Sequence, residues 1–396
     1  MNPRGAGRGV PIGSDFMKPP WRICILAEGQ LGDLLILSPA LRALKESYPA
    51  ATLTVLVVQR RSYEQASSSG GRVLVEDPRG GTSAVVRADP HVDRVAEIDR
   101  EALRALGGLP RIRAEYSVIR WLRQGRFDTV VCTFPQDRFF LWAFLSGARV
   151  RVGEGGKPFS VLLSHRLRKK KSEAGVLAYY CALAGEAGAA VKSYRTEVVI
   201  PAACRERATW HWHSLGLEGE RAVVAVHPGA SGSYRIWPPA QYAALIDHIQ
   251  AGGNPVILTG SVFDREVLTE VKQRCASPVR IAETTDVLDL AALLERCVLC
   301  ISNNSGPRHL AVASGVRSLA LIPRFDDREW KIYTDESAAG TMQSSRECPA
   351  CPAAACFNTI PPGEKYGSWC MRALTVEEVA SRVDYLLAPP PKGAVA

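Results

Sequence analysis

Short apolar runs alternate with segments of helical periodicity along most of the chain. In the first half, three runs rich in β-branched residues are bounded by charged or turn residues, which is typical of buried strands. They are ICILA (Ile23 to Ala27), LTVLVV (Leu53 to Val58) and TVVCTF (Thr129 to Phe134). Between the first two, the segment from Pro39 to Ser47 has apolar residues at helical spacing. Strands that alternate with helices predict a parallel sheet joined by crossover helices.

The same alternation starts again in the second half. Five strand-like runs follow one another, with helix-like segments such as 241–250 between them: AVVAVHPG (222–229), PVILTG (255–260), VRIAE (279–283), LCISNN (299–304) and RSLALI (317–322). Two α/β sheets in succession predict two Rossmann-like domains that face each other across a cleft. We expect these domains over residues 21–200 and 201–396, with the join after TEVVIP, near Pro201 to Glu220.

Two segments fit neither pattern. Residues 1–20 are rich in Gly and Pro and lack the apolar core of a signal peptide, so we expect a disordered tail. Residues 67–82 contain few core-forming residues, which predicts an irregular loop. The sequence has no run of about eighteen apolar residues, so it predicts no membrane span. Without an export signal, the 11 cysteines indicate a reducing compartment, and we expect a cytoplasmic protein.

Composition adds a possible partner. At 396 residues, with 46% hydrophobic and 22% charged residues, the chain is typical of a soluble globular protein. A formal net charge of +9 favours an acidic partner or a solvated basic surface. The densest basic run, RLRKKK (Arg166 to Lys171), has no interleaved aromatic residues, so we expect no nucleic acid. It is either a solvated face or a contact with anionic lipid or a phosphorylated glycolipid.

The first candidate for chemistry is the turn AEGQLGD after the first predicted strand. Gly29 and Gly32 allow a tight connection between strand and helix. A dinucleotide fingerprint needs a third glycine at G-x-G-x-x-G spacing and is not predicted. Asp33 directly precedes the apolar run 34–37. It either caps the helix or accepts a proton in a reaction.

The second candidate is HPGASGSYRIWP, directly after a predicted strand. It offers Gly229 for close backbone approach, Ser231 as a hydroxyl donor and Arg235 as a cation. These groups can bind and neutralise a phosphate or another anionic group. The alternative is a solvated loop packed by Trp237.

The third candidate is SNNSGPRHLA, at the start of a predicted helix. Ser305, Gly306 and the free amides of the first turn suit an anion, with Asn304 before them. His309 lies one turn into the helix and is either a ligand contact or a structural residue. All three candidates follow the carboxyl ends of predicted strands, where α/β sheets bind ligands.

A cysteine-rich stretch lies near the end of the chain, within residues 348–370. Its spacing, C-x2-C-x4-C-x13-C, suits a tetrahedral zinc or iron site that stabilises the loop. The ligands are Cys348, Cys351, Cys356 and Cys370. The alternative is four thiols without a metal. We expect the other seven cysteines to be ordinary core residues.

The pattern GD-x5-PALRALK-x3-P resembles the opening of the ADP-heptose:lipopolysaccharide heptosyltransferases, glycosyltransferase family 9. The resemblance continues through FDTVV, LSGARVRVG and the second and third candidates, over about residues 21–387. It implies the GT-B fold of two Rossmann-like domains, inversion at the anomeric carbon, catalysis without a metal, and Asp33 as the catalytic base. The donor contacts implied are Gly32, Gly229, Ser231, Arg235, Asn304, Ser305, Gly306 and His309.

The resemblance also implies a function. It is the transfer of heptose from ADP-heptose to a lipopolysaccharide core, with the acceptor on the first domain. The basic run Arg166 to Lys171 lies in that domain, which favours contact with the inner face of the inner membrane. The family usually has lysine at Arg235 and aspartate at Asn304; an uncharged amide here makes a related sugar the alternative. Cysteine-rich stretches also occur in iron-binding autotransporter heptosyltransferases, so a protein acceptor is a second alternative. A nucleotide-sugar-binding protein without catalysis is the third.

Overall fold

The computed structural model describes residues 21–59, 73–77, 80–168, 175–324, 333, 339–346 and 360–388. The chain divides into two compact units, one up to Thr196 and one from Glu197 onward. The division falls at the start of TEVVIP, between Thr196 and Glu197, and the helix at residues 202–214 belongs to the second unit. The predicted tail, residues 1–20, lies outside the described residues. Among the described helices, none has the length and apolar content needed to cross a membrane.

The N-terminal unit is a seven-stranded sheet with helices between its strands. The strands are β1 (Arg22–Glu28), β2 (Thr52–Gln59), β3 (Leu74–Glu76), β4 (Arg94–Asp99), β5 (Thr129–Cys132), β6 (Val150–Glu154) and β7 (His165–Leu167). The helices are α1 (Leu31–Ile36), α2 (Ser38–Ser47), α3 (Ala84–Arg87), α4 (Arg100–Ala105), α5 (Gly108–Gly125), α6 (Asp137–Leu145) and α7 (Val176–Glu186), with a 3-10 helix at Pro158–Leu162.

The strand order of this sheet is β3-β4-β2-β1-β5-β6-β7. Strand β1 pairs in parallel with β2 on one side and β5 on the other, so the order changes direction between β1 and β5. Ligands of open α/β sheets bind beyond the carboxyl ends of the strands at such a point. The predicted irregular loop at 67–82 is wrong in part, because Leu74–Glu76 pairs antiparallel with β4 as an added edge strand.

The C-terminal unit is a six-stranded sheet in which all the pairings are parallel. The strands are β8 (Val224–His227), β9 (Val256–Gly260), β10 (Arg280–Glu283), β11 (Leu299–Asn303), β12 (Arg317–Leu321) and β13 (Ala339–Met342). The helices are α8 (Ala202–Ser214), α9 (Pro239–Ala251), α10 (Arg265–Arg274), α11 (Val287–Leu294), α12 (Gly306–Ala313), α13 (Trp369–Ala373) and α14 (Val376–Leu387), with 3-10 helices at Ser233–Arg235 and Val262–Asp264.

The strand order here is β10-β9-β8-β11-β12-β13, so the direction changes between β8 and β11. The core of the unit is made by buried apolar side chains of these strands and of α9, α10 and α14, with Trp237 and Tyr242 among its largest members. Because both faces of a parallel sheet are covered, its strands read as nearly continuous apolar runs. This is why β8, β9, β11 and β12 were recognisable in the sequence.

Candidate functional site

Asp33 lies in the first turn of α1, directly beyond the carboxyl end of β1. The N-cap position of this helix is Gln30, and no side chain caps the helix. The interpretation of Asp33 as the cap is therefore wrong, because Asp33 is the third residue inside the helix. An acidic side chain in a first turn still interacts favourably with the helix dipole. Gly32 precedes it and is also buried.

The carboxylate of Asp33 is held by a residue far away in the sequence. The Tyr180 hydroxyl, on α7, donates a hydrogen bond of 2.7 Å to Asp33 Oδ1. Asp33 is only 4% exposed, and Tyr180 is buried as well. Burial raises the pKa of Tyr180 well above its ordinary value, and the charge and hydrogen bond of Asp33 raise it further. The phenol therefore stays protonated at neutral pH and acts as a donor.

The turn that presents Asp33 is fixed by the end of β2. A Cβ on Gly29 would lie 2.8 Å from the Cα of Gln59, so only glycine fits between these two backbones. The Gly29 amide donates to Val58 O at 2.9 Å, and its carbonyl accepts from Thr82 Oγ1 at 2.8 Å. Gln59 Nε2 in turn donates to Thr82 Oγ1 at 3.0 Å. The position of α1 is thus set by strand pairing and by one side-chain network.

In the C-terminal unit, Asn303 at the end of β11 anchors the loop that follows β8. Its Oδ1 accepts from the Trp237 amide and the Tyr242 hydroxyl, both at 3.0 Å. Its Nδ2 donates to Pro228 O at 2.6 Å. Asn303 is fully buried, so these bonds are shielded from water. One amide side chain therefore holds both ends of the loop 228–237.

Gly229 is a position where the backbone approaches a side chain closely. A Cβ there would collide with the carboxylate of Asp264 and lie 3.0 Å from His227 Nε2. Asp264 itself accepts from the Ser261 amide and hydroxyl, both at 2.9 Å. Burial lowers the pKa of His227, although the charge of Asp264 opposes this shift. The glycine is therefore required by this packing.

The middle of the loop carries two of the predicted polar groups. Ser231 is exposed, and Arg235 is half-buried at the end of the 3-10 helix Ser233–Arg235. The guanidinium carbon of Arg235 lies 5.4 Å from the ring centroid of Tyr234. Stacking on an aromatic face reduces the freedom of the guanidinium and leaves its edge able to bind an anion.

The segment after β11 forms the predicted helix start. Ser305 occupies the N-cap position of α12, and Gly306 is the first helical residue, followed by proline. Asn304 is buried, and its Oδ1 accepts from Arg308 Nη1 at 3.1 Å. Arg308 is fully buried, with its guanidinium carbon 5.4 Å from the Tyr333 ring centroid. This segment therefore combines a helix N-terminus with a buried positive charge.

His309 contacts the same tyrosine as Arg308 does, Tyr333. Its Nδ1 lies 3.0 Å from the Tyr333 hydroxyl, and the side chain is buried. Burial lowers the pKa of His309 well below 6.5, and the neighbouring charge of Arg308 lowers it further. The imidazole is therefore neutral at neutral pH and can donate or accept a hydrogen bond without adding charge.

The structure brings several of the predicted donor residues together. Strands β8 and β11 are neighbours, and Asn303 bonds directly to the loop that holds Gly229. The segment from Asn304 to His309 begins directly after Asn303. Gly32 and Asp33 belong to the N-terminal unit.

Three residues were missed by reasoning from the sequence. Arg308 had a local signal, because it lies four positions after Asn304 at the start of a helix. Asn303 lies in the third candidate motif, SNNSGPRHLA, but nothing in the sequence distinguishes it from Asn304. Tyr180 had no signal, since it is 147 positions from Asp33.

Of the four predicted metal ligands, Cys348, Cys351 and Cys356 lie outside the described residues. Cys370 is buried in α13, and its Sγ lies 3.5 Å from Ser368 Oγ. Within the described part of the chain, no three His, Cys, Asp or Glu side chains form a metal-binding group. The four-cysteine site therefore stays a prediction.

The other seven cysteines are free thiols, and all but Cys275 are buried. Burial raises the pKa of Cys181 and of Cys300 to about 12. Such thiols are protonated and poorly nucleophilic at neutral pH. This agrees with their interpretation as core residues.

Of the basic run, Arg166 and Arg168 are exposed on either side of the buried Leu167 at the end of β7, an edge strand. Residues 169–171 lie outside the described residues.

Comparison with known proteins decides the family. The sequence profile described as glycosyltransferase family 9 (heptosyltransferase) matches residues 116–358. The chain belongs to glycosyltransferase family 9. Lipopolysaccharide heptosyltransferase 3 of Escherichia coli is 23% identical to it over 328 residues, which covers 80% of this chain and 88% of the relative. The protein is therefore a glycosyltransferase by family, as its motifs predicted.

Similar solved structures confirm the predicted α/β fold of the GT-B type. A family 9 glycosyltransferase from Veillonella parvula matches with a TM-score of 0.71 and 20% identity, over 93% of this chain and 97% of that one. The E. coli ADP-heptose lipopolysaccharide heptosyltransferase II matches with a TM-score of 0.65 and 17% identity, over 92% and 98%. The iron-containing dodecameric glycosyltransferase TibC from enterotoxigenic E. coli matches at 0.53 and 10% identity, over 94% and 80%.

Proposed function

We propose that this family 9 member transfers heptose from ADP-heptose to a lipopolysaccharide core or a related glycolipid, with inversion at the anomeric carbon. The observation that carries the proposal is the position of Asp33, beyond the carboxyl end of β1 where the strand order changes direction. Relatives named as heptosyltransferases and the ADP-heptose enzyme among the similar structures support this donor and this acceptor class.

In this proposal Asp33 is the general base. Its carboxylate accepts the proton of the acceptor hydroxyl as the oxygen forms a bond to the anomeric carbon, and ADP leaves from the opposite face. The hydrogen bond from Tyr180 holds this carboxylate in a fixed orientation, so that the base does not have to be positioned anew for each acceptor.

The departing ADP needs its negative charge stabilised. We assign this to Arg235, to the hydroxyl of Ser231, and to the amides at the start of α12 between Ser305 and Gly306. Gly229 lets the backbone approach the pyrophosphate, while Asn304 and His309 contact the sugar or phosphates as neutral hydrogen-bonding groups. Since these groups can supply the stabilisation, we propose that catalysis needs no metal.

The test is the variant Asp33→Asn, assayed for released ADP and for glycosylated acceptor in buffer that contains EDTA. We expect the wild type to be active and the variant to lose at least about a hundredfold in turnover, because general base catalysis contributes roughly a hundredfold to ten-thousandfold. Donor affinity, measured by calorimetry with ADP-heptose, should be unchanged.

The matched control is Asp89→Asn, since Asp89 is a buried acid of the same unit that bonds to His91. It should retain activity. Full activity of Asp33→Asn would refute the base assignment, and loss of wild-type activity in EDTA would refute the metal-free mechanism. Donor binding by the wild type without transfer to any glycolipid would favour a binding protein, and transfer to a protein would favour the other alternative acceptor.

A further inference from the structure

Exposed apolar side chains are concentrated in one part of the N-terminal unit. Of the twelve large hydrophobic side chains that are exposed among the described residues, six lie on α5, α6 and the 3-10 helix Pro158–Leu162. They are Leu109, Ile112, Tyr116, Phe144, Phe159 and Val161, called the apolar face below. The first three are 68%, 63% and 64% exposed. Single exposed apolar residues are ordinary, but a cluster marks an interaction surface.

The three elements lie side by side in one layer. Glu115 of α5 accepts from Trp142 Nε1 at 2.8 Å and pairs with Arg138 at 3.3 Å, which fixes α5 against α6. The Phe159 amide donates to Asp137 Oδ1 at 2.9 Å, which fixes the 3-10 helix against α6. Arg151 joins the other ends, since its guanidinium stacks on Phe144 and its Nε donates to Leu162 O at 2.7 Å.

The charge around the apolar face is strongly positive. Exposed basic residues lie in these elements or close to them in the sequence: Arg111, Arg113, Arg120, Arg123, Arg149 and Lys157. The sequences of the three elements contain only two acidic residues, Glu115 and Asp137, and both are engaged in the contacts that join the elements. Exposed apolar side chains together with basic side chains suit a partner that has an anionic surface and an apolar layer below it.

We propose that the apolar face docks this protein on an anionic lipid bilayer. Leucine, isoleucine and aromatic side chains enter the boundary between headgroups and acyl chains, while the arginines contact lipid phosphate. A second copy of the chain is disfavoured as the occupant, because two such faces would bring arginines against arginines. The exposed Arg166 and Arg168 follow the 3-10 helix in the sequence and add to the positive charge of the same unit. The docking does not depend on the sugar that is transferred.

The test is sedimentation of the full chain with phosphatidylcholine vesicles, with and without phosphatidylglycerol. We expect binding to the anionic vesicles in dilute buffer and much weaker binding to neutral vesicles. High salt should reduce the binding several-fold because it screens the arginines. Failure to bind anionic vesicles in dilute buffer would overturn the proposal.

Two variants separate the apolar from the electrostatic contribution. Leu109→Ser with Ile112→Ser removes apolar contact and should weaken binding at least tenfold. Arg111→Glu with Arg113→Glu should weaken it by more than tenfold, since each basic residue near an anionic surface contributes about a fivefold factor.

The control is Trp210→Ser, which removes a side chain that is 74% exposed in the C-terminal unit and should leave vesicle binding unchanged. Thermal unfolding verifies that each variant is folded. Equal binding by the wild type and both double variants would show that lipid is held elsewhere. Concentration-dependent dimerisation that the Leu109→Ser, Ile112→Ser variant abolishes would instead assign the face to a second copy.

Discussion

At the scale of single residues, the contact between Tyr180 and Asp33 links the buried core of the N-terminal unit to the proposed chemistry. A hydrogen bond to a charged group contributes about 1.5–3 kcal/mol, which corresponds to roughly tenfold to a hundredfold in rate if it is needed in the transition state. Tyr180 contacts the base rather than the substrate, so it acts as a positioning residue. Its effect should appear in turnover and not in donor binding.

We therefore expect Tyr180→Phe to lower kcat by about tenfold or more, with the donor KM unchanged. The control is Tyr179→Phe, since the neighbouring tyrosine is equally buried and its pKa is raised by burial and by Glu154 rather than by Asp33. Equal kinetics of the two variants would remove the positioning role, and Asp33→Asn would still test the base by itself.

At the scale of elements, the structure of the second sheet depends on how β11 ends. The side chain of Asn303 connects this strand to the loop after β8 and to Tyr242 on α9. Asn303→Ala should lower the free energy of unfolding by about 3 kcal/mol, because the buried Trp237 amide and Tyr242 hydroxyl lose their acceptor. Urea unfolding of the full chain measures this loss.

The comparison variant for this prediction is Tyr242→Phe. It removes one hydrogen bond without leaving a buried donor, so it should cost only about 1 kcal/mol. A loss in Asn303→Ala that is no larger than the loss in Tyr242→Phe would mean that the loop is held by other contacts.

The elements also show how far the sequence could be interpreted. Central strands such as β1 and β9 were predictable, because strands buried on both faces are continuous apolar runs. The edge strands β3 and β7 were not, because they are short and largely exposed or half-buried. The starts of α1 and α12 followed from glycine, proline and polar residues after a strand. The hydrogen bond between Tyr180 and Asp33 could not be predicted, because tertiary packing brings together two residues that are 147 positions apart.

At the scale of the whole molecule, buried neutral histidines make stability depend on pH. The pKa of His309 is lowered by burial and by Arg308, and the pKa of His227 is lowered by burial against the charge of Asp264. In the unfolded chain both histidines become protonated near pH 6.5, whereas in the folded chain they stay neutral to lower pH. The unfolded state thus binds more protons below that pH, so acidification favours unfolding.

We expect stability to be constant with respect to these two groups above pH 6.5 and to fall below it. Each histidine contributes a slope of up to about 1.4 kcal/mol per pH unit until its folded-state pKa is reached. Unfolding of the wild type and of His309→Gln between neutral and mildly acidic pH measures the slope. The variant should be less sensitive, and His227→Gln with His309→Gln less sensitive still. Identical slopes in all three proteins would show that His227 and His309 are not the source of the pH dependence.

The bond pattern of Asn303 has a consequence for recognition in the C-terminal unit. Because one side chain fastens both ends of the segment 228–237, the conformational freedom of those ends is lost when the protein folds. A ligand that contacts Ser231 and Arg235 would then bind a loop whose two ends are already fixed. Affinity gained in this way comes from rigidity present beforehand rather than from additional contacts.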